Sequence, residues 1–132
     1  IIRAPRLTED VARLQQLILE QKMTPLTFYK DRSEYFVDVS EILFFETDGE
    51  KIYGRTREEA YEVRQKLYEL EELLPIAFCR ISKSTIVNTK QIYSIEKSFS
   101  GTSTVNFYQT HKQVHVSRHY YQLLKERLKE MR

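Results

Sequence analysis

The segment from Arg80 to Asn88 reads RISKSTIVN and combines two cations, three hydroxyls and one amide within nine residues. Cations bind phosphate groups, and guanidinium or amide groups can pair with base edges in a nucleic-acid groove. The interspersed Ile81, Ile86 and Val87 would anchor such a segment to a hydrophobic core. The pattern therefore favours a polar loop that is held by strands and directed at nucleic acid.

Each polar residue of this segment also has an ordinary structural interpretation. Lys83 suits either a nucleic-acid contact or a solvated turn. Arg80 suits either a contact or an ion pair within the protein, for example with Glu46. Asn88 could contact nucleic acid, but its side chain could instead cap the short turn that follows it.

Two more cations stand at the ends of predicted elements. Lys51 follows Asp48-Gly49, a strong signal for a β-hairpin turn. Arg118 follows Ser117, which we expect to cap the C-terminal helix, and the free backbone N–H groups of a helix start attract phosphate. Three separate loops or element ends would thus each offer a cation.

Signals for other chemistries are scarce. His111, His115 and His119 are four residues apart, but they fall on a predicted hairpin, a strand and a helix start, so we expect no metal site there. They are better interpreted as surface groups near an anion or as partly buried core. The sequence has neither a Gly-rich phosphate-binding loop nor a G-x-S-x-G motif. We therefore expect no catalytic residues and no metal or other cofactor.

The composition indicates one globular domain with an uneven charge distribution. The chain has 132 residues, of which 41% are apolar and 30% charged. Residues 1–77 hold 11 Lys/Arg and 16 Asp/Glu, whereas residues 78–132 hold 10 Lys/Arg and 3 Asp/Glu. This split favours an anionic partner for the second part, although two oppositely charged faces could also merely keep the protein soluble.

The number of cysteines and the hydropathy of the chain indicate the cellular compartment in which the protein is expected. The single Cys79 excludes an internal disulfide and is expected to be a small core residue rather than a reactive thiol. No apolar stretch approaches the length of a membrane span, and no signal peptide is visible. We expect a cytoplasmic protein.

The order of predicted elements is helix, strands, helix, many short strands, helix. An apolar stripe predicts a helix over 8–22, the T-R-E-E capping-box pattern predicts another over 56–74, and Ser117 would begin the last. Strands are predicted over 26–30, 35–39, 42–47, 51–55, 77–80, 84–87, 92–97, 104–108 and 113–116. This order predicts a mainly β (α+β) antiparallel domain with covering helices.

The residues quoted above lie within a longer pattern that resembles the LytTR family of bacterial DNA-binding domains. The matching segments are ILFFETDGEKIY, FCRISKSTIVNTKQIYSI and VHVSRHYYQLLKERL, and the resemblance covers roughly residues 25–130. It implies an elongated antiparallel β-sandwich with short helices, whose loops enter successive major grooves of duplex DNA. It also implies DNA-binding residues at Lys51, Arg80, Ser82, Lys83, Ser84, Asn88 and Arg118, with Arg80 and Asn88 holding the loop.

The resemblance further implies an organisation and partners. Residues 1–24 would form an N-terminal helical segment and residues 25–132 the DNA-binding domain, which leaves no room for a receiver domain. The protein would then be a stand-alone bacterial transcription regulator that binds paired direct repeats as a homodimer, with a small membrane protein as a possible regulator. Alternatives are a protein-interaction module with a basic face, an RNA-binding domain and a hydrolytic enzyme.

Overall fold

The computed structural model describes residues 26–131, which form ten β-strands and two α-helices. The strands are β1 (Phe28–Lys30), β2 (Ser33–Tyr35), β3 (Phe44–Asp48), β4 (Lys51–Arg55), β5 (Ala60–Val63), β6 (Phe78–Ser82), β7 (Thr85–Asn88), β8 (Ile92–Lys97), β9 (Ser103–Phe107) and β10 (Gln113–Val116). The helices are α1 (Leu67–Leu73) and α2 (Arg118–Met131). The predicted helix over 8–22 and the predicted segment 1–24 lie outside the described residues.

The strands form two antiparallel sheets. A seven-stranded sheet has the order β2-β1-β5-β4-β3-β7-β6, and a three-stranded sheet has the order β10-β9-β8. The predicted fold class, a mainly β antiparallel sandwich with short covering helices, is confirmed. Within residues 26–131, no helix is both long and apolar enough to cross a membrane.

The part of the large sheet formed by β3, β7 and β6 is buried on both faces, and successive residues of these strands point to opposite sides. Phe45 and Ile86 belong to a core that also contains the α1 side chains Leu67 and Leu70. Their neighbours on the same strands, Phe44 and Val87, belong to a second core with the three-stranded sheet and α2. The layers are therefore α1, the large sheet, and then the small sheet with α2.

Cys79 lies in the second core. It is 2% exposed, and burial raises the pKa of its thiol. The prediction of a small core residue is confirmed.

The helix predicted over 56–74 is wrong in its first half. The hydroxyl of Thr56 does accept a hydrogen bond from the Glu59 backbone N–H at 2.9 Å, as in a capping box. However, the Thr56 N–H donates back to the Glu59 carbonyl at 2.9 Å, which closes a hairpin turn between β4 and β5. Only Leu67–Leu73 is helical, and there the Glu69 carboxylate accepts from the Lys66 N–H at 3.1 Å.

The strand predicted over 35–39 is wrong beyond its first residue, because β2 ends at Tyr35. Val39–Glu41 forms a 3-10 turn, and the Asp38 carboxylate caps it by accepting from the Ser40 N–H at 2.9 Å. Hydrogen bonding to Ser40 lowers the pKa of Asp38.

Candidate nucleic-acid interface

Two hairpin tips lie side by side at one end of the large sheet. Strands β3 and β7 are antiparallel neighbours, with Glu46 opposite Thr85, so the end of β3 and the start of β7 coincide. The Thr47 N–H donates to the Ser84 carbonyl at 2.9 Å and ties the β6–β7 turn to the β3–β4 hairpin. Lys51, which is opposite Asp48 in the register, and Lys83 therefore belong to the same end.

The start of α2 reaches this end as well. The Ser117 N–H donates to the Ile81 carbonyl at 2.9 Å, one residue before Ser82. Arg118 is thereby placed beside the β6–β7 turn, although it is 35 residues further along the chain. The three predicted cations Lys51, Lys83 and Arg118 thus stand on elements that meet at one end of the large sheet, and we call this region the cationic end.

The β6–β7 turn presents Lys83 at its tip. Ser82 is opposite Thr85, so Lys83 and Ser84 form the two-residue connection, and an irregularity in the register lies between Arg80 and Ser82. The Ser84 N–H donates to the Ser82 hydroxyl at 3.2 Å. Lys83 and Ser84 are exposed, whereas Ser82 is half-buried.

Arg80 holds this turn from inside the sheet. Its Nε donates to the Ser82 carbonyl at 2.9 Å, and its Nη2 donates to the Lys83 carbonyl. Its Nη1 lies 3.3 Å from a carboxylate oxygen of Glu71. The ion pair of Arg80 with Glu46 that we considered from sequence is wrong, because Glu46 pairs with Arg55.

Asn88 lies at the opposite end of β7 and is 1% exposed. Its amide nitrogen donates to the carbonyls of Ile42 at 3.0 Å and Ser40 at 3.3 Å. Its amide oxygen accepts from the Lys90 N–H at 3.1 Å and caps the 3-10 turn Thr89–Gln91. The turn-capping role is confirmed, and both ends of the amide are occupied within the protein.

Lys51 is exposed next to the turn of the β3–β4 hairpin, but an anion is near it. Its Nζ lies 3.5 Å from a carboxylate oxygen of Glu62 on β5, and 60% of the Lys51 side chain is exposed. Asp48 and Glu50 flank the hairpin turn. The positive charge of Lys51 is therefore partly neutralised by Glu62 in the absence of a ligand.

Arg118 is exposed at the first position of α2, and its Nη2 donates to the Ser100 carbonyl at 2.9 Å. Ser117 precedes the helix as predicted, but its hydroxyl does not cap it. That hydroxyl is buried and has no hydrogen-bond partner among the described residues. The Ser117 carbonyl accepts instead from the Tyr120 N–H at 3.1 Å.

An open groove lies between the β6–β7 turn and β10, and its walls include side chains that sequence reasoning did not select. Gln113 and His115 are exposed on β10, while Val114 and Val116 between them are buried. His115 Nδ1 lies 3.3 Å from the Thr104 hydroxyl. The alternation of polar and apolar residues along β10 is the sequence signal that could have identified Gln113 and His115 as exposed. The polar residues that line the groove are Glu46, Ser82, Ser84, Thr85, Thr102, Gln113, His115 and Ser117.

The three histidines do not share a site. His115 lies on β10, His119 is in the first turn of α2, and His111 precedes β10. Across residues 26–131, no three His, Cys, Asp or Glu side chains are grouped so that they could hold a metal ion.

Comparison with known proteins identifies the family to which this chain is similar. Residues 32–129 match the family model of the LytTr DNA-binding domain. An uncharacterized HTH-type transcriptional regulator of Staphylococcus aureus strain NCTC 8325 is 30% identical over 128 residues, which cover 96% of this chain and 86% of that protein. The corresponding regulator of the bovine strain RF122 is 31% identical over 131 residues with the same coverage.

A solved structure agrees with the fold. The LytTr DNA-binding domain of a response regulator from Bacillus cereus superposes with a TM-score of 0.73 at 26% identity, covering 79% of this chain and 95% of that one. The resemblance noted from the sequence motifs is confirmed. The chain belongs to the LytTr family of DNA-binding domains.

Proposed function

We propose that this protein is a bacterial transcription regulator that binds duplex DNA sequence-specifically through its cationic end. The observation that carries the proposal is the convergence of Lys51, Lys83 and Arg118, which the hydrogen bonds Thr47–Ser84 and Ser117–Ile81 bring to one end of the domain. Cations on separate loops suit contacts to successive stretches of major groove, where base edges and phosphates are both accessible.

The residues of the interface would have different roles. Lys83 and Arg118 would reach base edges, with Lys51 and the hydroxyls of Ser82 and Ser84 adding phosphate or base contacts. A lysine supplies a compact point charge, whereas the planar guanidinium of Arg118 can donate two parallel hydrogen bonds to one guanine.

Arg80 and Asn88 would support this surface rather than touch DNA. Arg80 already donates to two carbonyls of the β6–β7 turn, and Asn88 is buried with its amide fully used. On this proposal Arg80 acts on DNA binding through the shape of the loop, and Asn88 contributes to the stability of the sheet.

The wider arrangement is part of the same proposal. Two copies of the chain would bind paired direct repeats, since regulators commonly place one protein copy on each half of a repeated operator. Residues 1–24 would form a separate helical segment for self-association or for a small membrane protein that restrains the regulator. The protein would act in the cytoplasm, where the DNA lies, and would have no catalytic activity.

A matched pair of lysine variants tests the proposal. Lys83 and Lys90 are both exposed and stand just beyond opposite ends of β7, so Lys90→Ala removes an equivalent charge away from the cationic end. We expect fluorescence-anisotropy titrations on a selected duplex to show weaker binding for Lys83→Ala and unchanged binding for Lys90→Ala. Equal effects of the two variants, or no preference of the wild type for the selected duplex, would refute the proposal and favour a protein partner.

One observation favours RNA binding as a second candidate function. Tyr93 on β8 is 66% exposed and Tyr108 is 44% exposed, and their ring centroids are 5.2 Å apart. Exposed aromatic rings on a sheet are the platform on which single-stranded RNA stacks. Single-stranded RNA would support this alternative if it displaced a labelled duplex from the protein more effectively than unlabelled duplex DNA did, and if this effect were lost in Tyr93→Ala.

A further inference from the structure

Arg118 does not extend freely from α2 but lies on the turn that connects β8 and β9. Its Nη2 donates to the Ser100 carbonyl at 2.9 Å. The next residue, Gly101, lies directly beneath the guanidinium group. A Cβ atom at position 101 would be 2.6 Å from Nη2 and 2.8 Å from Cζ, and closer still to Nε. Only the absence of a side chain at this position leaves room for the arginine.

The turn itself is well braced. The Ser98 N–H donates to the Thr102 carbonyl at 3.0 Å, and the Gly101 N–H donates to the Ser98 carbonyl at 3.2 Å. The Ser98 hydroxyl lies 2.7 Å from the Ser100 hydroxyl and 2.9 Å from the Thr102 carbonyl. Gly101 has φ of +90°, a conformation that glycine adopts without steric penalty. The carbonyl that receives Arg118 is therefore held in a fixed position.

We propose that Gly101 is a positioning residue for Arg118, and that the turn 98–102 orders the guanidinium group before DNA is bound. This inference rests on the proposed function. A guanidinium group has five N–H donors, and the bond to Ser100 uses one hydrogen of Nη2. Nη2 contributes one hydrogen to the edge that it shares with Nε and the other to the edge that it shares with Nη1. The bond to Ser100 therefore leaves one of these two-donor edges available for a base. The side chain then loses less freedom on binding, which increases affinity.

A side chain at position 101 would act through Arg118. The atoms that it would meet belong to the far end of a long side chain, so the arginine can move away, whereas the positive φ of Gly101 makes any side chain at this position strained. Gly101→Ala would therefore displace Arg118 from the Ser100 carbonyl and leave its charge in solution.

A double-mutant cycle tests this coupling on the full chain. Wild type, Gly101→Ala, Arg118→Ala and the double variant are titrated with a duplex obtained by selection and with an unrelated duplex. We expect Gly101→Ala to weaken binding to the selected duplex by about three- to tenfold, the range for ordering one long side chain. We expect no further weakening when Gly101→Ala is added to Arg118→Ala, and no effect on the unrelated duplex.

The outcomes separate the inference from the proposed function. If Arg118→Ala does not weaken binding to the selected duplex, the base-reading role of Arg118 and the inference both fail. If Arg118→Ala weakens binding but Gly101→Ala does not, or if Gly101→Ala is equally harmful in both backgrounds, only the inference fails.

A measurement on the wild-type protein avoids any effect of the variants on folding. Nuclear magnetic resonance relaxation of the side-chain Nε–H groups reports the order of each arginine. Arg32, which is exposed in the turn between β1 and β2, provides the comparison. We expect Arg118 to be more ordered than Arg32 in the absence of DNA, and equal mobility of the two would overturn the inference.

Discussion

Replacing Arg80 distinguishes between two possible roles of this residue: holding the shape of the interface and contacting DNA directly. If Arg80 bound a phosphate, Arg80→Lys would keep most of the affinity because the positive charge remains. If Arg80 instead holds the β6–β7 turn, Lys cannot replace it, because one ammonium group cannot reproduce the fork that spans the carbonyls of Ser82 and Lys83. We expect both Arg80→Ala and Arg80→Lys to weaken specific binding.

The magnitude follows from the contacts of Arg80. A hydrogen bond from a charged group contributes about 1.5–3 kcal/mol when water cannot replace it, but the Lys83 carbonyl lies in an exposed turn. The ion pair with Glu71, whose side chain is 42% exposed, adds at most about 1 kcal/mol. We therefore expect Arg80→Ala to lower the free energy of unfolding by about 2–3 kcal/mol.

The effect on DNA binding has a different origin. Without Arg80 the tip residue Lys83 becomes mobile, and fixing the backbone of one residue costs about 1–2 kcal/mol. Specific binding should therefore weaken by about five- to thirtyfold.

Anisotropy titrations at several salt concentrations distinguish the two roles. Loss of one phosphate contact would reduce the slope of log K against log salt by about 1. We expect the slope to stay unchanged, because Arg80 acts on the turn and not on phosphate. A reduced slope in Arg80→Ala, together with full rescue by Arg80→Lys, would refute the positioning role.

Three further predictions follow from individual contacts. Lys83→Ala should change the preferred base at one or two positions of the selected motif, and recovery of the wild-type motif at wild-type affinity would contradict its base-reading role. Glu62→Gln should free Lys51 and strengthen DNA binding about two- to fivefold at low salt, as expected for loss of one exposed ion pair; unchanged titrations would show that Lys51 lies away from DNA. Asn88→Ala should lower the free energy of unfolding by about 2–4 kcal/mol in urea denaturation, because it removes the buried hydrogen bond to the Ile42 carbonyl and the cap of the turn Thr89–Gln91, while the folded protein keeps its DNA affinity; weaker binding without lost stability would indicate direct contact.

Much of the fold was predictable because its signals are local. The run ILFFETD and the Asp48-Gly49 turn predict β3, β4 and their hairpin, and the alternation in QVHV predicts β10. The apolar residues Ile81, Ile86 and Val87 lie in the cores, as the pattern of RISKSTIVN indicates. These features depend on side-chain periodicity and turn chemistry within a few residues, which the sequence shows directly.

Features that depend on competition between distant partners were not predictable. The Thr56 and Glu59 pattern suits a helix start, but pairing of β5 with β4 and β1 captures Ala60–Val63 as a strand. Tertiary pairing therefore overrides the local signal. The partner of Arg80 is likewise decided by the fold, because Glu46 is taken by Arg55 on the neighbouring strand.

The support of Arg118 was also not visible in the sequence. The Ser98–Thr102 turn is recognisable from its serines and glycine, but its contact with Arg118 joins residues 18 positions apart in sequence. Arg118 and the turn 98–102 come together only because α2 packs against β6 and the small sheet lies beside α2.

Selection of binding sites from random duplex DNA by the 132-residue chain tests the central claim most directly. We expect enrichment of one motif that occurs twice in the same orientation, with centres separated by about one helical turn, ~10–10.5 base pairs. We also expect Lys83→Ala and Arg118→Ala to relax the base preference at separate positions of that motif. Failure to enrich any duplex motif, or equal enrichment from a single-stranded pool, would contradict sequence-specific recognition of duplex DNA through the cationic end.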